Sequence, residues 1–254
     1  MVYVIAYFII YSFFGWVMES VLKTVVQKKI VNSGFLYGAY CPIYGFGALI
    51  MLFVLQQFKD NIIILFLICF FVLSIWEYIV GWLLEVIFKT KYWDYTTYKF
   101  NIHGRVCLLN SLFWGFLGVV FIHFLHPFIE SKVNLIPSEI LIYIVAVLSI
   151  AMIVDLIVSV VKLLNMQNKL NKINELNDLI KQKLAELKNS ANTANNIQGV
   201  IEELKHKQSI IKMKLIRQTI RLKKAFPTMK SDAVEKINEF LTQKKITLKK
   251  EKKK

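Results

Sequence analysis

The chain has 254 residues, 56% of them hydrophobic and 14% aromatic, yet it carries a formal net charge of +15. The apolar content excludes a disordered polyelectrolyte, and the charge excludes a uniformly apolar bundle. Position reconciles the two: residues 1–161 hold 9 Lys and Arg against 8 Asp and Glu, while residues 162–254 hold 23 against 9.

Five apolar stretches fill the first part, at 2–22, 36–58, 61–88, 106–127 and 136–161. Each reaches the roughly 18–20 residues that a helix needs to cross a hydrocarbon core. Each is apolar around its whole circumference, which a soluble domain does not easily accommodate. The first stretch has no Lys or Arg before Lys23 and no small-residue cleavage site. It is therefore expected to stay in place as a membrane helix rather than to act as a secretory signal.

Loop charge sets the expected orientation. Lys23, Lys28 and Lys29 lie in the first connection, and Lys89, Lys91, Lys99 and Arg105 in the third; the alternate connections carry only Lys59 and Lys132. The positive-inside rule then places the N-terminus outside and the tail in the cytoplasm, as five plasma-membrane spans require. The fold class expected is all-α: a polytopic membrane domain (1–161) of five transmembrane helices, followed by a cytoplasmic, coiled-coil-like helical tail.

In the tail, Met166, Leu170, Ile173, Ile180, Leu184 and Leu187 recur near a 3.5-residue spacing, interrupted by Asn177. A second run holds Ile197, Ile201, Leu204, Ile211 and Leu215, and Asn189–Asn196 between the runs is rich in turn formers. Residues 162–226 read either as an antiparallel helical hairpin or as one uninterrupted coiled coil that oligomerises. Pro227 ends the second helix; in 227–254, Ser231 can cap a short amphipathic helix with Val234, Ile237, Phe240 and Leu241, before a lysine-rich terminus. That terminus suits a solvated end or attraction to an anionic leaflet. No nucleic acid partner is expected, because no groove-reading motif accompanies the charge.

With this topology the ionisable residues of the membrane part fall toward the cytoplasmic side. Glu19 and Asp155 come late in spans one and five, Glu77 and Glu85 in the second half of span three, and Arg105 at the start of span four. Glu77, Gly81 and Glu85 follow an i, i+4, i+8 pattern, so both carboxylates share a helix face with a glycine between them. A charge inside a span costs about 2.5–3.5 kcal/mol on insertion scales, so it usually faces protein or a wet cavity. Arg105 is the natural partner for at least one carboxylate, although a buried ion pair can equally serve only to lock packing. The connection from Lys91 to Arg105 adds Trp93, Asp94, Tyr95, Asn101, His103 and Gly104, where aromatics also suit interfacial anchoring. Gly34, Gly38, Pro42, Gly45 and Gly47 are expected to make span two irregular near its cytoplasmic end, as in helices broken at a binding site.

Other features carry less chemistry. Cys41, Cys69 and Cys107 give neither a disulfide framework nor metal spacing. His123 and His126, three apart with no third ligand, suit interfacial histidines better than a metal site. No cofactor is expected.

The runs FFGWVMES (13–20), VNSGFLYGAYCPIYGFGA (31–48), WEYIVGWLLE (76–85) and YWDYTTYKFNIHGRVCLLNSLFWG (92–115) together resemble the bacterial family called putative ABC-transporter type IV permeases. The resemblance covers roughly residues 8–128 and leaves out the tail. By position, the family's characteristic residues fall on Glu19, Gly34, Pro42, Tyr44, Gly45, Glu77, Gly81, Glu85, Trp93, Asp94, Tyr95, Asn101, Gly104 and Arg105. It implies a membrane component of a transport system. No G-x-x-x-x-G-K-[ST] loop occurs in the chain, so ATP hydrolysis would fall to a separate ATPase subunit. Five spans also favour a homo-oligomer or a heteromeric complex.

Three functions are thus weighed. The first is a transport component whose cytoplasm-facing polar cavity takes a small polar or ionic solute, or relays protons, through Glu19, Glu77, Glu85, Asp94, Asn101 and Arg105. The second is a membrane anchor or scaffold that recruits partners through its tail, separable from the first by deleting 163–254. The third is an intramembrane enzyme acting on a lipid head group, which no HExxH or GxSxG motif supports.

Overall fold

The computed structural model describes residues 1–189, 194–231 and 234–237. Its described residues are helical apart from connections and two isolated bridges, and they divide into two units. Among the described residues, the first comprises Met1–Ser159 with Lys224–Lys230, and the second comprises those of 160–223 with Ser231 and 234–237.

In the first unit, α1 (Val2–Gln27) ends where Lys28 turns left-handed at φ 51° and its N–H returns to the Val25 carbonyl. Helix α2 (Pro42–Ile50) continues through a π-helical turn, Met51–Leu55, and a 3₁₀ turn, Gln56–Phe58. Helix α3 (Ile62–Phe88) is capped by Asn61, whose side-chain oxygen accepts from the N–H groups of Ile63 and Ile64, both at 3.1 Å. Helix α4 (Leu108–Val120) runs through a second π-helical turn, Phe121–Leu125, into α5 (His126–Val133). Pro127 near the start of α5 has no N–H for the ladder, and the widened turn precedes it. Helix α6 (Ser138–Asn189) begins in this unit. Among the described residues four helical stretches are long and apolar enough to cross a membrane, and Pro42–Phe58 is a shorter apolar one.

Small residues let the helices approach. A methyl group at Gly45 would collide with the Ser12 hydroxyl of α1, and one at Gly118 with the Cys69 thiol of α3. The buried core gathers Ala6, Ile9 and Tyr11 with Leu65, Cys69, Leu73, Phe121 and Val145. Large apolar side chains such as Leu67, Phe71, Ile75, Ile150 and Ile157 stay exposed, as lipid-facing positions do. Beside α5 the Tyr11 hydroxyl lies 2.7 Å from His126 Nδ1, while His123 meets the Val119 and Lys59 carbonyls. Both histidines thus have structural partners.

Two connections double back along the helices they follow. The Cys41 N–H donates to the Ser12 carbonyl at 2.9 Å, so the chain has returned from Gln27 to the level of Ser12, about 22 Å along α1. The stretch from 36 is therefore not helical before Pro42. The residue before a proline is driven to an extended conformation, and Cys41 has φ −121° and ψ 89°. Phe35, Leu36 and Tyr40 are apolar coil packed on the core. The irregularity of this stretch lies before Pro42 and after Ile50, whereas Gly45 and Gly47 sit in regular helix. The second returning connection, 89–107, brings His103 beside Tyr78, ten residues or about 15 Å short of the end of α3.

In the second unit, the later part of α6 and α7 (Ala194–Ala225) run antiparallel. Lys169 donates to Gln218 at 3.0 Å, Gln218 to the Lys162 carbonyl at 2.6 Å, and Gln208 to Asn177 at 2.5 Å. Met166, Leu170, Ile173, Leu176 and Ile180 are buried with Ile201, Leu215 and Leu222. Ser231 accepts from the Val234 N–H at 3.3 Å, and Val234 and Ile237 are buried. Phe240, Leu241 and the terminal lysines lie outside the described residues.

Candidate functional site

The charged and polar positions singled out from the sequence gather into four neighbouring groups within the first unit.

Glu77 is the deepest, with only 5% of its surface exposed. Its two oxygens lie 2.7 and 2.8 Å from the Asn110 amide nitrogen; Trp114 Nε1 donates at 2.9 Å and the Tyr95 hydroxyl at 3.3 Å. Asn110 and Trp114 are i, i+4 on α4, so one face of that helix presents both donors. Burial and the neighbouring Glu77 push the Tyr95 phenol well above its ordinary value, which keeps it a donor. Tyr44 reaches this group through its ring, 5.6 Å from Trp114. Among the described residues no Lys or Arg is ion-paired with Glu77. Three neutral donors carry the desolvation of a carboxylate.

Arg105 pairs with Glu85, not with Glu77. Its Nε and Nη2 donate to one Glu85 oxygen at 3.0 and 2.7 Å, and Nη1 donates to the Tyr78 hydroxyl at 3.1 Å. The guanidinium also lies 5.2 Å from the Tyr78 ring centroid. Trp93 Nε1 donates to the Arg105 carbonyl at 2.9 Å, with its ring over Gly81. Glu77 and Glu85 thus serve different partners: eight residues turn a helix by about 80°, so Glu77 meets α4 and Tyr95 whereas Glu85 meets Arg105.

Asp94 is buried between two lysines, Lys91 at 2.9 Å and Lys230 at 2.5 Å, and accepts from the N–H and hydroxyl of Thr96. Burial alone would raise its carboxyl, but Lys230, Lys91 and Thr96 outweigh that and hold it well below the usual carboxylate range. Asn101 organises the same loop, donating to the Thr96 and Tyr98 carbonyls and accepting from the Gly104 N–H. Gly104 has φ +66°, and a methyl there would meet Asp94, Lys91 and Thr96.

Glu19 accepts from the Ser33 hydroxyl at 2.7 Å, lies 3.4 Å from Lys23, and has the Cys41 thiol at 3.7 Å. Gly34 abuts Cys41 Sγ at φ +96°, and Pro42 opens α2. Asp155 completes this end, accepting from the N–H groups of Tyr37 and Gly38 at 3.1 and 2.6 Å. These contacts, with the Val31 and Ser33 N–H groups bonded to Thr24 and Ser20, satisfy non-helical backbone alongside the helices.

Sequence reasoning missed three participants. Asn110 and Trp114 were legible only as polar positions in an apolar run. The third, Lys224–Lys230, forms an antiparallel bridge in which the Lys91 and Lys230 backbones exchange hydrogen bonds, both 2.9 Å. Phe226 stacks edge-on against Tyr92, with ring centroids 5.1 Å apart, and lies under Lys23 Nζ. Lys23 and Gln27 donate to the Ala225 and Lys224 carbonyls, which are left open at a helix end.

A family model described as "Putative ABC-transporter type IV" matches residues 6–160. No curated protein and no solved structure matches the chain.

Proposed function

The chain belongs to the putative ABC-transporter type IV family, and from that membership we propose that it is the membrane-embedded part of a transport system, working with a separate ATPase subunit. In this reading it crosses the plasma membrane five times, with Pro42–Phe58 as the short second span. The N-terminus lies outside, and the tail lies in the cytoplasm. A polar path opens toward the lysine-rich side, and Glu77 is its principal group. One observation carries the reading: Glu77 is a buried carboxylate on a long apolar helix, held by neutral donors. A proton or a small cationic solute supplies the charge that these donors do not.

Glu85 and Arg105 serve as the gate-side pair of this path, and Asp94 and Asn101 hold the loop that carries Tyr95 to Glu77. The test uses protein reconstituted into vesicles with an entrapped pH dye, an imposed proton gradient and, in parallel, the copurified ATPase. Glu77→Gln is expected to abolish proton flux, with lesser losses for Glu85→Gln and Arg105→Ala. Flux equal to wild type in all three variants discards the reading.

A further inference from the structure

The connection 89–107 has an inner and an outer side. Tyr92, Trp93 and Tyr95 turn inward, toward Phe226, Arg105 and Glu77. The opposite edge leaves Phe100 77%, Ile102 56% and Tyr98 47% exposed. That edge is preformed. The Ile102 N–H donates to the Val106 carbonyl at 3.0 Å and the Tyr95 N–H to the Gly104 carbonyl at 2.8 Å. Asn101 ties Thr96, Tyr98 and Gly104 together. Phe100 and His103 are held left-handed at φ 53° and 52°, conformations that side-chain-bearing residues adopt only under constraint.

The depth of the edge follows from its partners. His103 Nδ1 lies 3.0 Å from the Tyr78 hydroxyl, and Tyr78 is the seventeenth residue of α3, about 24 Å from the helix start. A hydrocarbon core is about 30 Å thick, so a bilayer that begins at the start of α3 reaches past this level. At the same level and just beyond, α3 exposes Ile79, Trp82, Leu83 and Val86. The apolar edge thus stands at the level of an exposed apolar surface on a helix long enough to cross a membrane, and exposed Lys99 beside it complements anionic head groups.

We propose that Tyr98, Phe100 and Ile102 form a lipid-contacting wedge, seated at the boundary between acyl chains and head groups in the leaflet on the Lys28 and Lys89 side. The N–H and C=O groups of Tyr98 and Ile102 are all bonded within the loop, which is what permits non-helical chain at that depth. The proposal is independent of transport.

The test places a spin label at Phe100→Cys and, separately, at Ile102→Cys in full-length protein reconstituted into vesicles of phosphatidylglycerol and phosphatidylethanolamine. Collision rates are measured with oxygen, which concentrates in lipid, and with a water-soluble nickel chelate. Native cysteines are buried, and an unsubstituted sample subtracts their labelling. Ile75→Cys, on the exposed face of α3, provides the lipid reference. Both wedge labels are expected to show an oxygen-to-nickel ratio shifted toward that of Ile75. A ratio favouring nickel, or protection from both probes as under a second protein, overturns the proposal. Ile102→Cys decides alone if Phe100→Cys does not fold.

Discussion

Asn110 places one amide nitrogen 2.7 and 2.8 Å from the two carboxylate oxygens of Glu77, joining α4 to α3 through a polar contact inside an apolar interface. Around it the Ser74 and Ser111 hydroxyls lie 2.6 Å apart, so the helix pair carries two adjacent polar rungs.

Removing a donor from this network should destabilise more than removing the acceptor and donor together. Asn110→Leu or Trp114→Phe leaves part of a buried carboxylate unpaired, at a cost of about 1–3 kcal/mol. Thermal denaturation in detergent is expected to show lower midpoints for each single variant. Glu77→Leu combined with Asn110→Leu should recover part of the loss; a double variant no more stable than Asn110→Leu alone contradicts the network.

The Arg105–Glu85 pair should contribute modestly. Glu85 is more than a third exposed, and its attraction is discounted for solvent, so Glu85→Gln is expected to cost no more than about 1 kcal/mol. Arg105→Ala should cost more, because the guanidinium also covers and bonds Tyr78. Equal melting shifts for the two variants would remove Tyr78 from the account.

Asp94 gives the chain an acid-sensitive contact. Its folded-state pKa lies below the ordinary value of 3.8, so the unfolded chain takes up a proton first as pH falls. The contribution is therefore complete at neutral pH and is lost on acidification, beginning near the ordinary value and ending below the folded one. Melting midpoints of wild type should fall through that window, and Asp94→Asn should start lower and slope less. Parallel pH profiles for the two proteins would count against the double-lysine clamp.

Asp155 fastens the coil before α2 by its backbone. With Asp155→Ala, the Tyr37 and Gly38 N–H groups lose their acceptor, and the buried Cys41 three residues on should become accessible. Alkylation of Cys41, followed by mass spectrometry, is expected to accelerate severalfold while Cys69 stays protected. An unchanged rate at Cys41 means the coil is held without Asp155.

Hydropathy made the helical architecture legible because crossing helices must be apolar on every side. It failed between residues 36 and 41, where Leu36 and Tyr40 are as apolar as a helix yet belong to coil packed on the core. Burial, not helicity, is what the hydropathy of that stretch records. Glu77 stood out as an expensive carboxylate in an apolar run, but its donors depend on which face of α4 meets α3. The same limit applies to Arg105, whose choice of Glu85 over Glu77 is a matter of helix phase and loop path. Lys230 and Asp94 are 136 positions apart, and no local pattern announces a bridge of that reach.

The strap formed by Lys224–Lys230 also changes how a truncation should be interpreted. Cutting the chain after residue 162 takes away Phe226, Thr228 and Lys230, stripping Asp94, Lys91 and Tyr92 of partners far upstream. Loss of activity in such a truncated form would be ambiguous between a missing recruitment module and an injured bundle. Polar substitutions at Leu170 and Leu215, which disrupt the paired helices while sparing the strap, separate the two causes cleanly.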